Sequence, residues 1–207
     1  MKFFFGFLVA FFSYSTYLAQ DYKPVTKSET VKSSLEKKHQ STKNLSADFN
    51  EEVHSKMFSA PKKGKGKLFY KQSDKIRWEN STQNQVILIN GTKVKLYEKS
   101  KEVTNPLASK MVKKIQEMML SMLSGEFLND KGFAISYYES SFTYKLLLTP
   151  KSTRIKKRIS KIELYFNKSS LLLDQMVMYE SADQKMIYTF DTIKTNETIS
   201  DSKFNQL

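Results

Sequence analysis

Between residues 64 and 98 bulky apolar side chains alternate with charged ones and then give way to a continuous apolar run. A period of two sends neighbouring side chains to opposite faces, so this stretch is readable only as strands. In Lys67-Leu68-Phe69-Tyr70-Lys71 and Lys75-Ile76-Arg77-Trp78-Glu79, Ile76 and Trp78 share one face while Arg77 and Glu79 take the other, and Gln72-Ser73-Asp74 is the polar turn between the segments. Gln85-Val86-Ile87-Leu88-Ile89 follows, then Asn90-Gly91, suited to positive φ in a two-residue hairpin, then Val94-Lys95-Leu96-Tyr97. Two adjoining hairpins with one greasy face are expected.

The flanking chain extends this sheet. Thr26-Lys27-Ser28-Glu29 fits a capping box for a helix through about Gln40, with Val31 and Leu35 on one face. From Leu45 the period becomes two, with Leu45, Ala47 and Phe49 pointing one way, and residues 59–65 read as a loop. Residues 106–124 are the helical exception: Asn105 can cap, Pro106 takes the first helical position and Gly125 ends the helix. Its apolar stripe runs through Leu107, Met111, Ile115, Met118 and Met122, widened by Val112, Met119 and Leu123. Methionine is flexible and polarizable, so this face suits a lid over ligands of varied shape, or equally a gap-filling core. Residues 133–138, 142–148, 159–166, 171–179 and 185–193 again read as strands. The fold expected is mainly β with α: a large antiparallel curved sheet forming an incomplete barrel covered by a helical lid.

At the N-terminus, Met1-Lys2 and the apolar run from Phe3 to Phe12 resemble a signal peptide cleaved near Ala19-Gln20, the run being shorter than the roughly 20 residues that span a bilayer. Residues 1–19 are therefore expected to be a signal peptide and 20–207 one domain, soluble in the periplasm, with 20–27 a short tether. The chain has no cysteine, which excludes disulfides and a lipidated N-terminal Cys. Its formal charge is +13, densest at Lys151, Arg154, Lys156, Lys157, Arg158 and Lys161, which read as a solvated hairpin loop. No zinc spacing, recognition helix or RNP-like strand accompanies that charge, so nucleic acid is not an expected partner. His39 and His54 alone do not make a metal site, and Glu51 and Glu52, neighbours on a strand, face opposite ways. With no nucleophile elbow, phosphate loop or dinucleotide fingerprint, the chain is not expected to be an enzyme, and no catalytic residue, cofactor or metal is assigned. The Asn-x-Ser/Thr sites at Asn44, Asn80, Asn90, Asn167 and Asn196 read as polar turn residues.

In order and spacing, the strands at 64–98, Leu147-Leu148-Thr149-Pro150-Lys151, and the closing Tyr188-Thr189-Phe190 through Ile193, Asn196 and Ile199 to Ser202-Lys203-Phe204 resemble the periplasmic outer-membrane lipoprotein carrier family, LolA. The resemblance covers about residues 28–204. It implies a monomeric carrier that takes the acyl chains of triacylated lipoproteins from an inner-membrane lipoprotein release complex and hands them to an outer-membrane acceptor. It also implies a lipid-binding cavity and lid formed by Leu68, Tyr70, Ile76, Trp78, Met111, Ile115, Met118, Met119 and Met122, with Trp78 beneath Met118 and Met122. In many members the position of Lys71 is followed by Arg-Pro, the Arg helping to hold the lid closed; here the pair is Gln72-Ser73, so Gln72 marks a departure at the latch. Two other readings stay open: a carrier of another amphiphile, such as a glycolipid or pigment precursor, and an envelope scaffold of the same fold with a filled core.

Overall fold

The structure is a computed structural model that describes residues 21–72, 74–104, 120–180 and 183–206. Among these, twelve strands form one antiparallel sheet in the order β1-β8-β9-β10-β11-β12-β2-β3-β4-β5-β6-β7, left unclosed because β1 and β7 stand at its two edges. The strands are β1 (Lys23–Pro24), β2 (Asn44–Ser55), β3 (Lys62–Lys71), β4 (Lys75–Asn80), β5 (Gln85–Asn90), β6 (Lys93–Glu98), β7 (Lys101–Glu102), β8 (Phe133–Glu139), β9 (Thr143–Pro150), β10 (Ile159–Asn167), β11 (Leu173–Glu180) and β12 (Gln184–Thr195). Most neighbours are hairpins, as short polar turns require. β12 pairs antiparallel with β2, which sets the last strand beside the first long one.

Alternation makes one face of this sheet apolar. Leu146, Leu148, Ile162, Leu164, Phe166, Met176 and Met178 form one buried cluster, packed by Val31 and Leu35 of helix α1 (Ser28–Ser41). Leu68, Tyr70, Ile76, Ile87, Ile89 and Leu96 form a second. We call this the inner face. Residues 120–124 are helical and end at Gly125, whose φ of 81° supplies the left-handed stop that the sequence predicts. From there the chain bridges the clusters: Leu120 and Leu123 pack on the second, Met122, Phe127 and Leu128 on the first.

The opposite, outer face is covered in part by a C-terminal 3₁₀ turn, Asp201–Phe204. Arg77, only 8% exposed, donates from Nη1 to the carbonyl oxygens of Lys203, at 3.0 Å, and Gln206, and from Nε to Glu79. Lys71 and Lys75 both reach Asp201, at 2.8 and 3.0 Å. Phe204 is thereby buried.

Several boundaries differ from expectation, for local reasons. The capping box does not form, because α1 begins with Lys27 at its N-cap and no side chain caps it. The expected tether is docked instead: Lys23 and Pro24 pair with Glu139 and Tyr138, and the Val25 amide donates to the Tyr137 carbonyl at 3.0 Å. The pairing Val53↔Lys62 carries β3 into what reads as loop. At the β5–β6 hairpin Asn90 stays paired with Lys93, and the positive φ falls on Gly91. The basic run holds a helical turn, α2 (Thr153–Lys156), capped by the Ser152 hydroxyl, which accepts from the Arg154 amide at 3.2 Å.

Candidate functional site

Four of the residues singled out in sequence meet on the inner face. Leu68 pairs across strands with Trp78, and Tyr70 with Ile76; Ile76 in turn opposes Ile89, and Trp78 opposes Ile87. Leu68, Tyr70 and Ile76 are buried in the second cluster, with Trp78 packed against it and partly exposed. Burial pushes the Tyr70 hydroxyl above its ordinary pKa, with Glu126 and Asp74 adding to the shift. Met111, Ile115, Met118 and Met119 lie outside the described residues. Met122 packs against the first cluster, while Leu120, Leu123 and Trp78 pack against the second. Gln72 is exposed at the β3–β4 turn, held by its amide, which donates to the Lys43 carbonyl at 2.7 Å.

Trp78 belongs to an aromatic group that joins the clusters. It stacks on Phe49 with centroids 4.1 Å apart and meets Tyr188 edge-on at 5.4 Å, with Phe190 beyond at 6.5 Å. The Phe49 ring lies over Gly66, its cross-strand partner, where a Cβ would stand 2.5 Å from the ring. Glycine is required there by close approach.

Beside the aromatics lies a polar group on the same apolar face. Glu51, 7% exposed, accepts from the Tyr188 hydroxyl at 2.7 Å and from Asn80 Nδ2 at 3.0 Å. Asn80 is itself buried, and its Oδ1 accepts from the Gln83 amide at 3.0 Å. Burial, then the Glu51 charge, raise the pKa of Tyr188 and keep it a hydrogen-bond donor. Glu52 faces out, 3.1 Å from His54 and 3.7 Å from Lys63, as alternation demands. The trio was legible in part, since Glu51 continues the inward row of Leu45, Ala47 and Phe49. Nothing in the sequence announces Asn80 or Tyr188 as its partners, because the three come from three strands.

His39 is separate from this group. It sits against Phe127 and Phe166, and its Nδ1 donates to the Leu123 carbonyl at 3.2 Å, tying α1 to residues 120–124. Its Nε2 is buried and finds no partner among the described residues.

The unclosed sheet, with its apolar inner face and helix α1 laid upon it, defines an incomplete-barrel protein. This chain belongs to the LolA family, whose description is outer membrane lipoprotein carrier protein LolA and which matches residues 40–206. Among solved structures it is similar to an uncharacterized conserved protein from Thermus thermophilus, at 11% identity and a TM-score of 0.53, covering 87% of this chain and 94% of that one. It is also similar to a LolA superfamily protein from Nitrosomonas europaea, at 9% identity and a TM-score of 0.44 over 86% of this chain and 97% of that one. The lipoprotein LppX of Mycobacterium tuberculosis gives 10% identity and 0.47 over 85% and 99%. At such identities the likeness concerns the fold. A comparison with curated protein sequences gives no match. Among the described residues no helix is long and apolar enough to cross a membrane.

Proposed function

We propose that the mature chain, residues 20–207 after removal of a signal peptide at 1–19, is a monomeric periplasmic carrier that shields the acyl chains of lipoproteins between an inner-membrane release complex and an outer-membrane acceptor. The observation that carries this reading is an apolar inner face continuous across an open sheet and bridged by residues 120–128. Each methylene removed from water contributes about 0.8 kcal/mol, so an acylated protein crosses an aqueous compartment only with a surface of this kind against its chains. Leu68, Tyr70 and Ile76 form the floor, Trp78 stands at its partly exposed margin, and Met111, Ile115, Met118, Met119 and Met122 supply the adaptable cover. No bond is made or broken. Direction comes from an acceptor that binds the chains more strongly, which requires moderate affinity here. Gln72 at the position of the family's latch Arg makes opening independent of that contact.

The test is to purify the mature protein from its own periplasm under native conditions and identify what it carries by mass spectrometry. Acylated peptides are expected. Delipidated protein titrated with an N-palmitoylated peptide should show saturable change in the emission of Trp78, which is the only tryptophan. Protein that carries nothing and neither binds the peptide nor changes its emission would overturn the carrier reading in favour of a filled-core scaffold.

A further inference from the structure

We propose that Glu51, with Tyr188 and Asn80, is a head-group subsite that selects an amphiphile carrying an N–H donor where its acyl chains join their polar end; the proposal rests on the carrier reading above. A carboxylate is an unexpected occupant of this row. Leu45, Ala47, Phe49 and Glu51 point inward from one strand, and the place of a fourth apolar side chain is taken by a charge. Removing a carboxylate from water is costly unless several donors or a cation surround it. Each Glu51 oxygen receives one neutral donor, leaving a lone pair on each, and no cation forms a salt bridge to it among the described residues. Room for it is built in, because the carboxylate lies over Gly64, where a Cβ would stand 2.8 Å from Oε2. A bulkier residue at 64 would fill that space.

The position within the sheet suits a polar end. Glu51 is two residues from Val53, whose pairing with Lys62 is the last between β2 and β3, so the carboxylate sits about 7 Å inside that rim. Trp78, Phe49 and Tyr188 lie beside it, and both apolar clusters open from there. An amphiphile with its chains along the inner face brings its junction to this point. An ammonium or amide N–H donates to the free lone pairs; a carboxylate or phosphate placed there is repelled.

The charge of the whole molecule makes this testable, because the +13 of the full sequence, less Lys2 of residues 1–19, still favours an anionic amphiphile at long range. Mature full-length protein is titrated at neutral pH with dodecylammonium, dodecanoate and dodecanol, following Trp78 emission and heat. Dodecylammonium should bind about tenfold more tightly than dodecanoate, the size of one charge-assisted hydrogen bond. Glu51→Gln, which removes the negative charge, should abolish or reverse that order, and Tyr188→Phe, which frees a carboxylate lone pair, should preserve it. N-palmitoyl peptide against its N-methylated form, and phosphatidylethanolamine against phosphatidylcholine, then separate an amide source from an ammonium head group; preference for the N–H member of either pair supports the subsite. Dodecanoate binding as well as or better than dodecylammonium in the unaltered protein overturns the subsite alone, whether or not Glu51→Gln folds. Failure of all three amphiphiles to bind overturns the carrier reading as well.

Discussion

At Gly66 a single hydrogen atom decides how the inner face packs. Any side chain there meets the Phe49 ring and the Glu79 carbonyl, both fixed by strand pairing, so neither can give way as a flexible chain end would. Gly66→Ala should destabilise the protein by about 2–3 kcal/mol or more, the scale of an overpacked core, read as a lower urea midpoint. An unchanged midpoint would mean that Phe49 has another place to go. His39 makes a different demand. Burial holds its pKa below the ordinary value, the bond to the Leu123 carbonyl opposes that shift, and Lys38 adds to it. The unfolded imidazole takes up its proton near about pH 6.5 and the folded one only lower, so stability is lost as pH falls from about 6.5 toward the folded value. Urea midpoints taken from about pH 7.5 down to about pH 5.5 should fall for the unaltered protein and flatten for His39→Gln. Equal slopes would place the titrating group elsewhere.

The C-terminal turn is the element whose role the sequence least discloses. Phe204, 1% exposed, is buried against the outer side of β4 and β5, and Phe→Ala in such a setting costs about 3–5 kcal/mol. Phe204→Ala should therefore lower stability by that order and speed amide exchange in β4 and β5 ahead of β9 and β10. Uniform loss of protection would show that the turn closes the whole sheet rather than one part of it. What could be read beforehand follows from how information is stored. The period of two in 64–98 fixed both face and register of β3 to β6, because each strand meets its neighbour through a short turn. Leu68, Tyr70, Ile76 and Trp78 were legible for that reason. Arg77 was placed on the outer face by the same rule, but its use as an anchor for Lys203 and Gln206 depends on a chain end more than a hundred residues away. The partners of Glu51 were hidden likewise, since β12 reaches β2 only after the whole intervening sheet is built. Glu163 on the outer face is a third instance. Burial alone would raise its pKa, yet Lys161, Tyr165 and Tyr179 donate to it and leave it lowered, a network assembled from β10 and β11.

An open barrel leaves two strand edges, and a sheet of this length is exposed to pairing at each. Unpaired edges recruit other strands. Here each edge ends in a two-residue strand: β7, Lys101–Glu102, beside β6, and β1, Lys23–Pro24, beside β8. Pro24 has no amide hydrogen to offer a further strand, and lysine occurs in both caps. Without β1 the edge would be β8, seven residues that include Ile135, Tyr137 and Tyr138. Deleting residues 21–27 from the mature chain should therefore uncap a strand long and apolar enough to pair with a second copy. The expected result is a light-scattering mass that rises with protein concentration, together with amide protection retained along β8 as the new partner replaces the old. A mass that stays at one chain, with β8 amides now exchanging freely, would show that charge repulsion across a strongly basic molecule, rather than the short cap, keeps this sheet from extending itself.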